Sequence, residues 1–180
     1  AGQGQWTPVS WSDLRSKVCA IAHGMRALGL EPGERVAVLA SGCPEWDQIH
    51  LGVLGARGVV AGFDTHASAV QLDAMLALAR PRVLVVDDPT IVSRLSTGAL
   101  GLLRAVVVVQ ATLNPGTARV ARTVSLAQLL DIGRQGKSDA WDEARPDDPA
   151  WIIFTSGTTG LPKGLVYRHH QVRLAIDAIL

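Results

Sequence analysis

The segment FTSGTTGLPKG, residues 154–164, combines three glycines, four hydroxyl side chains, one proline and one lysine within eleven residues. A plain turn needs none of this chemistry. Gly157 and Gly160 permit backbone dihedrals closed to other residues, so that successive N–H groups can point into one concavity and hold an anion. Thr155, Ser156, Thr158 and Thr159 add hydroxyl donors, and Lys163 adds a compact positive charge suited to phosphate oxygens. A flexible Gly/Ser/Thr linker would have a similar composition. Linkers, however, do not end on Pro-Lys-Gly or leave a hydrophobic run such as WIIF, residues 151–154. The segment therefore reads as a phosphate-binding element.

Two familiar phosphate loops are excluded by spacing. In the pattern G-x-x-x-x-G-K-[ST] counted from Gly157, the second glycine falls on Pro162, and Lys163 is followed by Gly164 where a hydroxyl should bind magnesium. No G-x-G-x-x-G follows any candidate strand, so a dinucleotide fingerprint is absent as well.

The elements that must carry this loop alternate. SWSDLRSKVCAIAHGMRALGL (10–30) has apolar residues at helical spacing, with Ser10 and Asp13 as a capping pair and Gly29 as its close. ERVAVLA (34–40) reads as a buried strand, and CPEWDQIHLGVLGARG (43–58) as a helix with Pro44 in its first turn. A strand (59–63), a helix (68–79), a strand (82–88), a weak helix (89–100) and a strong strand (103–110) follow. Residues 114–123 read as loop or edge strand, residues 124–133 as a short helix, and DDPAWIIF (147–154) as the strand that delivers the loop. Near-continuous Val/Ile/Leu strands between helices predict an α/β fold, a mostly parallel sheet with helices on both faces. Ligands in such sheets gather at the carboxyl ends of the strands, where residues 155–164 emerge.

Composition narrows the function. The chain has 180 residues, 48% hydrophobic and 18% charged, with a net charge of +1. No cluster of Lys and Arg marks a nucleic-acid stripe or a membrane patch, and no apolar run is long enough to span a bilayer. Cys19 and Cys43 have neither metal spacing nor the density of a disulfide framework, which points to the cytoplasm. His169 and His170 are adjacent and face different sides of a helix, so no metal site is expected there. His23, His50 and His66 are isolated and read as surface or satisfied core residues. Asp87-Asp88 and Asp147-Asp148 flank prolines as turn residues. The opening AGQGQW has no element of its own and QVRLAIDAIL ends without a cap, so the chain reads as a piece truncated at both ends.

FTSGTTGLPKGL closely resembles the signature loop of the adenylate-forming (AMP-binding) superfamily, roughly Y-[ST]-S-G-[ST]-T-G-x-P-K-G-V. That superfamily includes acyl- and aryl-CoA synthetases, luciferase and peptide-synthetase adenylation domains. VSWSDLRSKVCAIAHGMRALGLEPGERVAVLASGCPEW and LARPRVLVVDD extend the resemblance upstream. Pro44-Glu45-Trp46 and the long tract before DDPAWIIFTSG are most similar to long-chain fatty-acyl-CoA synthetases. Three positions depart from the pattern. Phe154 replaces a tyrosine, FDTHASA (63–69) lacks a proline, and Arg168 precedes His169 where the family has threonine. Because arginine cannot cap a helix as threonine does, the next helix is expected to start elsewhere.

The resemblance implies that residues 1–180 are the N-terminal part of an AMP-binding domain. It also implies ATP-dependent activation of a carboxylic, most simply fatty, acid to an acyl-adenylate and then a coenzyme A thioester. Thr155, Ser156, Gly157, Thr158, Thr159, Gly160 and Lys163 carry over as the nucleotide-phosphate loop, and no residue of the chain carries over as catalytic. Mg²⁺ and coenzyme A would be held mainly by residues outside the chain, which alone is expected to be inactive. Expected partners are the acid, ATP, the remainder of the enzyme and a second copy of the chain, with no nucleic acid. The alternative is a non-catalytic binding or assembly module derived from such an enzyme. The identity of the acid, and the choice between coenzyme A and a carrier-protein thiol, are not encoded in these residues.

Overall fold

Runs such as Val-Leu-Val-Val offer apolar side chains to both sides of a strand, so both sides must be covered. The computed structural model describes residues 8–109, 122–136, 144–156 and 162–178. In chain order these form α1 (Trp11–Ala27), β1 (Arg35–Leu39), α2 (Pro44–Gly55), β2 (Val59–Gly62), α3 (Ala69–Ala79) and β3 (Val83–Val86). A 3₁₀ turn (Pro89–Arg94), α4 (Thr97–Leu100), β4 (Ala105–Val108), β5 (Thr123–Ser125), α5 (Leu126–Gly133), β6 (Pro149–Ser156), β7 (Pro162–Arg168) and α6 (His169–Asp177) complete it. The sheet has seven strands in the order β5-β4-β3-β1-β2-β6-β7. Every neighbouring pair is parallel except β6 with β7. One face packs Val36, Val38, Val60, Val83 and Val85 under α1, α2 and α5. The other packs Ala37, Leu39, Leu84, Val86 and Ile152 under α3 and the 89–100 segment. The expected α/β architecture is the observed one.

In such a sheet the helices all end at the edge where the strands begin, and arginines meet their last carbonyls there. Arg35 donates from Nε to Ala79 O at 2.7 Å and from Nη2 to Arg80 O at 3.0 Å, at the end of α3. Arg26 donates to Gly55 O of α2 at 3.1 Å. Arg104 and Arg122 donate to Gly29 O and Ala27 O at the end of α1. Each pair satisfies an orphan carbonyl and places positive charge on the negative end of a helix dipole. Glu34 holds this layer together, accepting from Arg82 Nε at 3.1 Å and Arg104 Nη1 at 2.9 Å. At the other end of α1, the Ser10 hydroxyl accepts from Asp13 N, as expected. Gly29, at φ 85°, closes the helix in a Schellman turn in which Leu30 N donates to Met25 O.

Three local expectations are corrected. Residues 124–125, expected in a helix, form β5 with Thr123. Ser125 is then the N-cap of α5, in a capping box with Gln128. The weak helix expected at 89–100 splits into a 3₁₀ turn and the short α4, because Asp88 and Ser96 each cap a separate start. Pro162, Lys163 and Gly164, expected in the loop, belong to β7, which returns antiparallel along β6. Proline is tolerated there because it is the first residue of an edge strand.

The strand that delivers the loop is fixed at several points. Trp151 of β6 meets the His50 ring edge-on at 5.0 Å, and Trp46 tilts against the same ring, also at 5.0 Å. At the start of β6, Asp148 takes an ion pair from Arg57 at 3.1 Å and a hydrogen bond from Arg145 N at 3.1 Å. Arg57 follows α2 in the left-handed region at φ 62°, a conformation that is strained for arginine and is held here by that pair. The Asp148 carbonyl accepts from His169 N at 3.1 Å, which ties the start of α6 to the start of β6.

Two predictions follow from this packing. α5 lies so close to α1 that a Cβ at Gly133 would sit 1.7 Å from Ala20 O and 2.9 Å from Gly24 N. Both obstacles are backbone and cannot rotate aside, so Gly133→Ala should cost about 2–3 kcal/mol in urea unfolding. The second prediction concerns His50. Burial, opposed by Asp47, holds its imidazole below the ordinary value of 6.5, and its Nδ1 has no hydrogen-bond partner among the described residues. The unfolded chain therefore takes up the proton first as pH falls below 6.5, and stability drops through that window. Denaturation midpoints should decline from pH 7.5 to 5.5 in the native protein, and less so in His50→Phe. An equal decline in both would exclude His50 as a cause.

Candidate functional site

β6 begins in the interior of the sheet, with Ala150 and Ile152 buried between neighbours, and runs outward to Ser156. Its parallel partner β2 stops at Gly62, whose register mate is Ile153, so residues beyond 153 project past the adjoining strand. β7 starts at Pro162 opposite Ser156. The hairpin thus stands at the carboxyl edge of the parallel sheet, where ligands bind in this class of fold.

Two of the seven sequence-predicted site residues can be placed with their side chains. Thr155 and Lys163 are register partners across β6 and β7 and are both exposed. Residues directly opposite on antiparallel strands project on one face with Cβ atoms about 4.5–5.5 Å apart. A hydroxyl and an ammonium group thus flank one side of the hairpin end. Ser156 is the last residue of β6. Gly157, Thr158, Thr159 and Gly160 lie outside the described residues.

The base of the hairpin is built around Phe154. Its ring meets that of Phe63, from the loop after β2, at 5.2 Å and an interplanar angle of 85°. Gly164 is its register partner, and a Cβ there would stand 3.1 Å from Ile152 Cγ2 and 3.4 Å from Phe154 Cε1. The glycine of the Pro-Lys-Gly triplet thus makes room for the aromatic ring that seats the strand. The aromatic retained at 154 has a packing role that accounts for its type.

At the far end of β7, Arg168 is the N-cap of α6, and the helix begins at His169. This corrects the expectation that arginine would displace the start. Gln171 Oε1 accepts from Arg168 N at 2.9 Å, so the helix end is capped from within. The Arg168 guanidinium turns back instead and donates to Asp147 O at 2.6 Å. His170 Nδ1 lies 2.9 Å from Pro146 O and 3.5 Å from Asp147 Oδ1. His169 Nε2 is buried without a partner among the described residues, and burial, opposed by Asp148, lowers the affinity of that ring for a proton. Asp148 is held below the ordinary carboxylate value, first by the Arg145 N–H it accepts, then by Arg57 against the cost of burial.

Sequence reading missed the Trp46–His50–Trp151 stack, because Trp151 is remote from α2 in the chain. His50, read as surface or satisfied core, is half-buried with an unsatisfied ring nitrogen. The signal within reach was the i, i+4 spacing of Trp46 and His50, which puts both rings on one side of a helix.

The geometry has counterparts among known proteins. The family described as AMP-binding enzyme matches residues 2–179. The long-chain-fatty-acid–CoA ligase heimdall of Drosophila melanogaster is 30% identical over 180 residues, covering 96% of this chain and 26% of its own length. The long-chain-fatty-acid–CoA ligase ACSBG1 of Rattus norvegicus is 29% identical, with coverage of 93% and 24%. This chain therefore spans about a quarter of the length of those relatives. Among solved structures, the acetoacetyl-CoA synthetase of Streptomyces lividans superposes with a TM-score of 0.77 at 27% identity, covering 91% of this chain and 26% of its own. The anthranilate CoA ligase AuaEII reaches 0.79 at 22% identity, with 92% and 31% covered, and shares the fold. Fold, hairpin and family match coincide along nearly the whole sequence, and the chain belongs to the AMP-binding enzymes.

Proposed function

We propose that the chain supplies the phosphate-binding loop of an ATP-dependent acid–thiol ligase acting on a carboxylic acid, most simply a fatty acid. The observation that carries this reading is the exposed Thr155–Lys163 pair at the carboxyl edge of the sheet, on either side of Gly157, Thr158, Thr159 and Gly160. In the first step a carboxylate oxygen bonds to the α-phosphorus of ATP while the bond to the α–β bridging oxygen breaks. The leaving pyrophosphate takes that electron pair, and an acyl-adenylate remains. A thiol, most simply that of coenzyme A, then loses its proton as its sulfur bonds to the acyl carbon, and the bond from that carbon to the AMP oxygen breaks, leaving a thioester and AMP.

Lys163 and the hydroxyls of Thr155, Ser156, Thr158 and Thr159 would hold the β- and γ-phosphate oxygens, where charge grows as pyrophosphate departs. Mg²⁺ would add charge neutralisation to the same oxygens. Holding carboxylate and phosphorus in line also requires adenine and ribose to be fixed, and these contacts belong to the remainder of the enzyme. The names of the relatives support the fatty acid as substrate. A reducing, cytoplasmic setting is proposed as well, because two cysteines with neither metal spacing nor the density of a disulfide framework suit it. No helix among the described residues is long and apolar enough to cross a membrane.

The proposal includes a partner for the hairpin side of the molecule. On β7, Leu165 and Val166 are 50% and 56% exposed, and on α6, which has no buried residue, Leu174 and Ile176 are 64% and 52% exposed. An edge strand with adjoining apolar side chains and no central charge invites pairing. The remainder of the enzyme would cover it, and in its absence a second copy would.

Two outcomes are expected. In the full-length enzyme, Lys163→Ala should slow acid-dependent pyrophosphate–ATP exchange about ten- to a hundredfold, the loss of roughly 1.5–3 kcal/mol for one charge-assisted hydrogen bond. Unchanged exchange would sink the assignment. The 180-residue chain should sediment as a concentration-dependent oligomer, and Val166→Lys should shift it toward monomer. A native chain that stays monomeric at high concentration would count against the exposed edge as a contact surface.

A further inference from the structure

Lys163 stands opposite Thr155 only while β7 keeps its register on β6. Successive residues of a strand face opposite sides, so a slip of one residue would turn Lys163 away from Thr155. A slip of two would carry it about 7 Å along the ladder. Whatever holds the register therefore holds Lys163.

The strand itself holds it weakly. Residues 163–168 are all exposed, and the apolar Leu165, Val166 and Tyr167 are consecutive instead of alternating, so burial favours neither side. A two-residue turn would set the pairing by its own geometry, whereas residues 157–161, Gly-Thr-Thr-Gly-Leu, specify it less tightly. Gly164 makes room for the pairing opposite Phe154 but offers no side chain to hold it. Directional contacts gather at the other end. Pro149 pairs with Arg168 and Trp151 with Tyr167, so Ala150 is an extra residue on β6, a bulge that is fully buried.

Beside the bulge, three successive carbonyls accept from the residues where β7 ends and α6 begins. Asp147 O takes the Arg168 guanidinium at 2.6 Å, Asp148 O takes His169 N at 3.1 Å and Pro146 O takes His170 N at 2.9 Å. The turn that presents these carbonyls is itself braced. Asp148 N donates to Arg145 O at 3.0 Å, and the Asp148 carboxylate accepts from Arg145 N and from Arg57, each at 3.1 Å. Arg168 is the last residue of β7, so its charge-assisted bond acts directly on the strand.

We propose that Arg168 is a positioning residue: by clamping the end of β7 to Asp147 it fixes the strand's register and keeps Lys163 opposite Thr155. Its bearing on the reaction rests on the phosphate-binding role proposed above for Lys163.

Oxidative trapping in the full-length enzyme tests the register. Thr155→Cys with Lys163→Cys should close a cross-strand disulfide, and Thr155→Cys with Leu165→Cys should not, as mapped by peptide mass. Adding Arg168→Ala, at an exposed position, should lower the first yield and raise the second, and Arg168→Lys should largely restore both. Acid-dependent pyrophosphate–ATP exchange tests the consequence. Arg168→Ala should slow it roughly three- to tenfold, and should add nothing to Lys163→Ala, because a residue that acts through Lys163 loses its influence once the lysine is gone. An undiminished 155–163 yield in Arg168→Ala, or equal slowing by Arg168→Ala with and without Lys163, would overturn the proposal. If Lys163→Ala itself leaves exchange unchanged, the phosphate-loop reading fails, and the trapping yields alone decide the role of Arg168 in the register.

Discussion

In a sheet whose strands run parallel, every returning helix ends at the edge where the strands begin, and this shared polarity governs the molecule. The beginning edge collects the negative ends of α1, α2 and α3, and the arginines that meet them: Arg26, Arg35, Arg104 and Arg122. The opposite edge collects the strand ends. These four arginines are placed where they satisfy carbonyls and meet the negative ends of helix dipoles. At the carboxyl edge, one hairpin brings Thr155 and Lys163 together instead. The division of labour follows from direction alone.

Against that polarity, β7 is the one strand among the described residues that turns back. The reversal brings Lys163 opposite Thr155, eight residues after it in sequence but only one strand away in space. Had the chain crossed over to another parallel strand, Lys163 would have opened a helix on one face of the sheet. The hairpin instead keeps the lysine at the lip. At the return, a side chain at 164 would crowd Ile152 Cγ2 first and the Phe154 ring less, so glycine suits the register position opposite Phe154.

Where sequence was legible, local and global signals agreed. The Val/Leu runs of β1, β3 and β4 admit only a doubly covered sheet, and Ser10, Gly29 and Pro44 mark helix ends that the structure retains. Legibility failed where tertiary position outweighs propensity. Pro162 and Gly164 argue against a strand, yet an edge position and a packed ring make both acceptable. Arg168 argues against a helix start, yet Gln171 caps that end from inside. Of the site, the residue types suggest the proposed loop chemistry, whereas the pairing of Thr155 with Lys163 depends on a register that composition does not encode. The Trp46–His50–Trp151 stack was out of reach for the same reason.

The two flanks of the loop are held unequally. On the β6 side, Ile152 is buried within the sheet, Trp151 is clasped by His50, and Asp148 is tied by Arg57. On the β7 side, residues 163–168 are exposed and the strand has one neighbour. Local stability follows burial, so Thr155 stands on the firm arm of the hairpin and Lys163 on the one that opens at lower cost. In the proposed phosphate-binding role this asymmetry has a use. Short-range hydroxyl contacts depend steeply on geometry and profit from a rigid mount, whereas the attraction of an ammonium falls off slowly with distance and survives small displacements. The rigid strand therefore carries the directional donor, and the looser strand carries the charge.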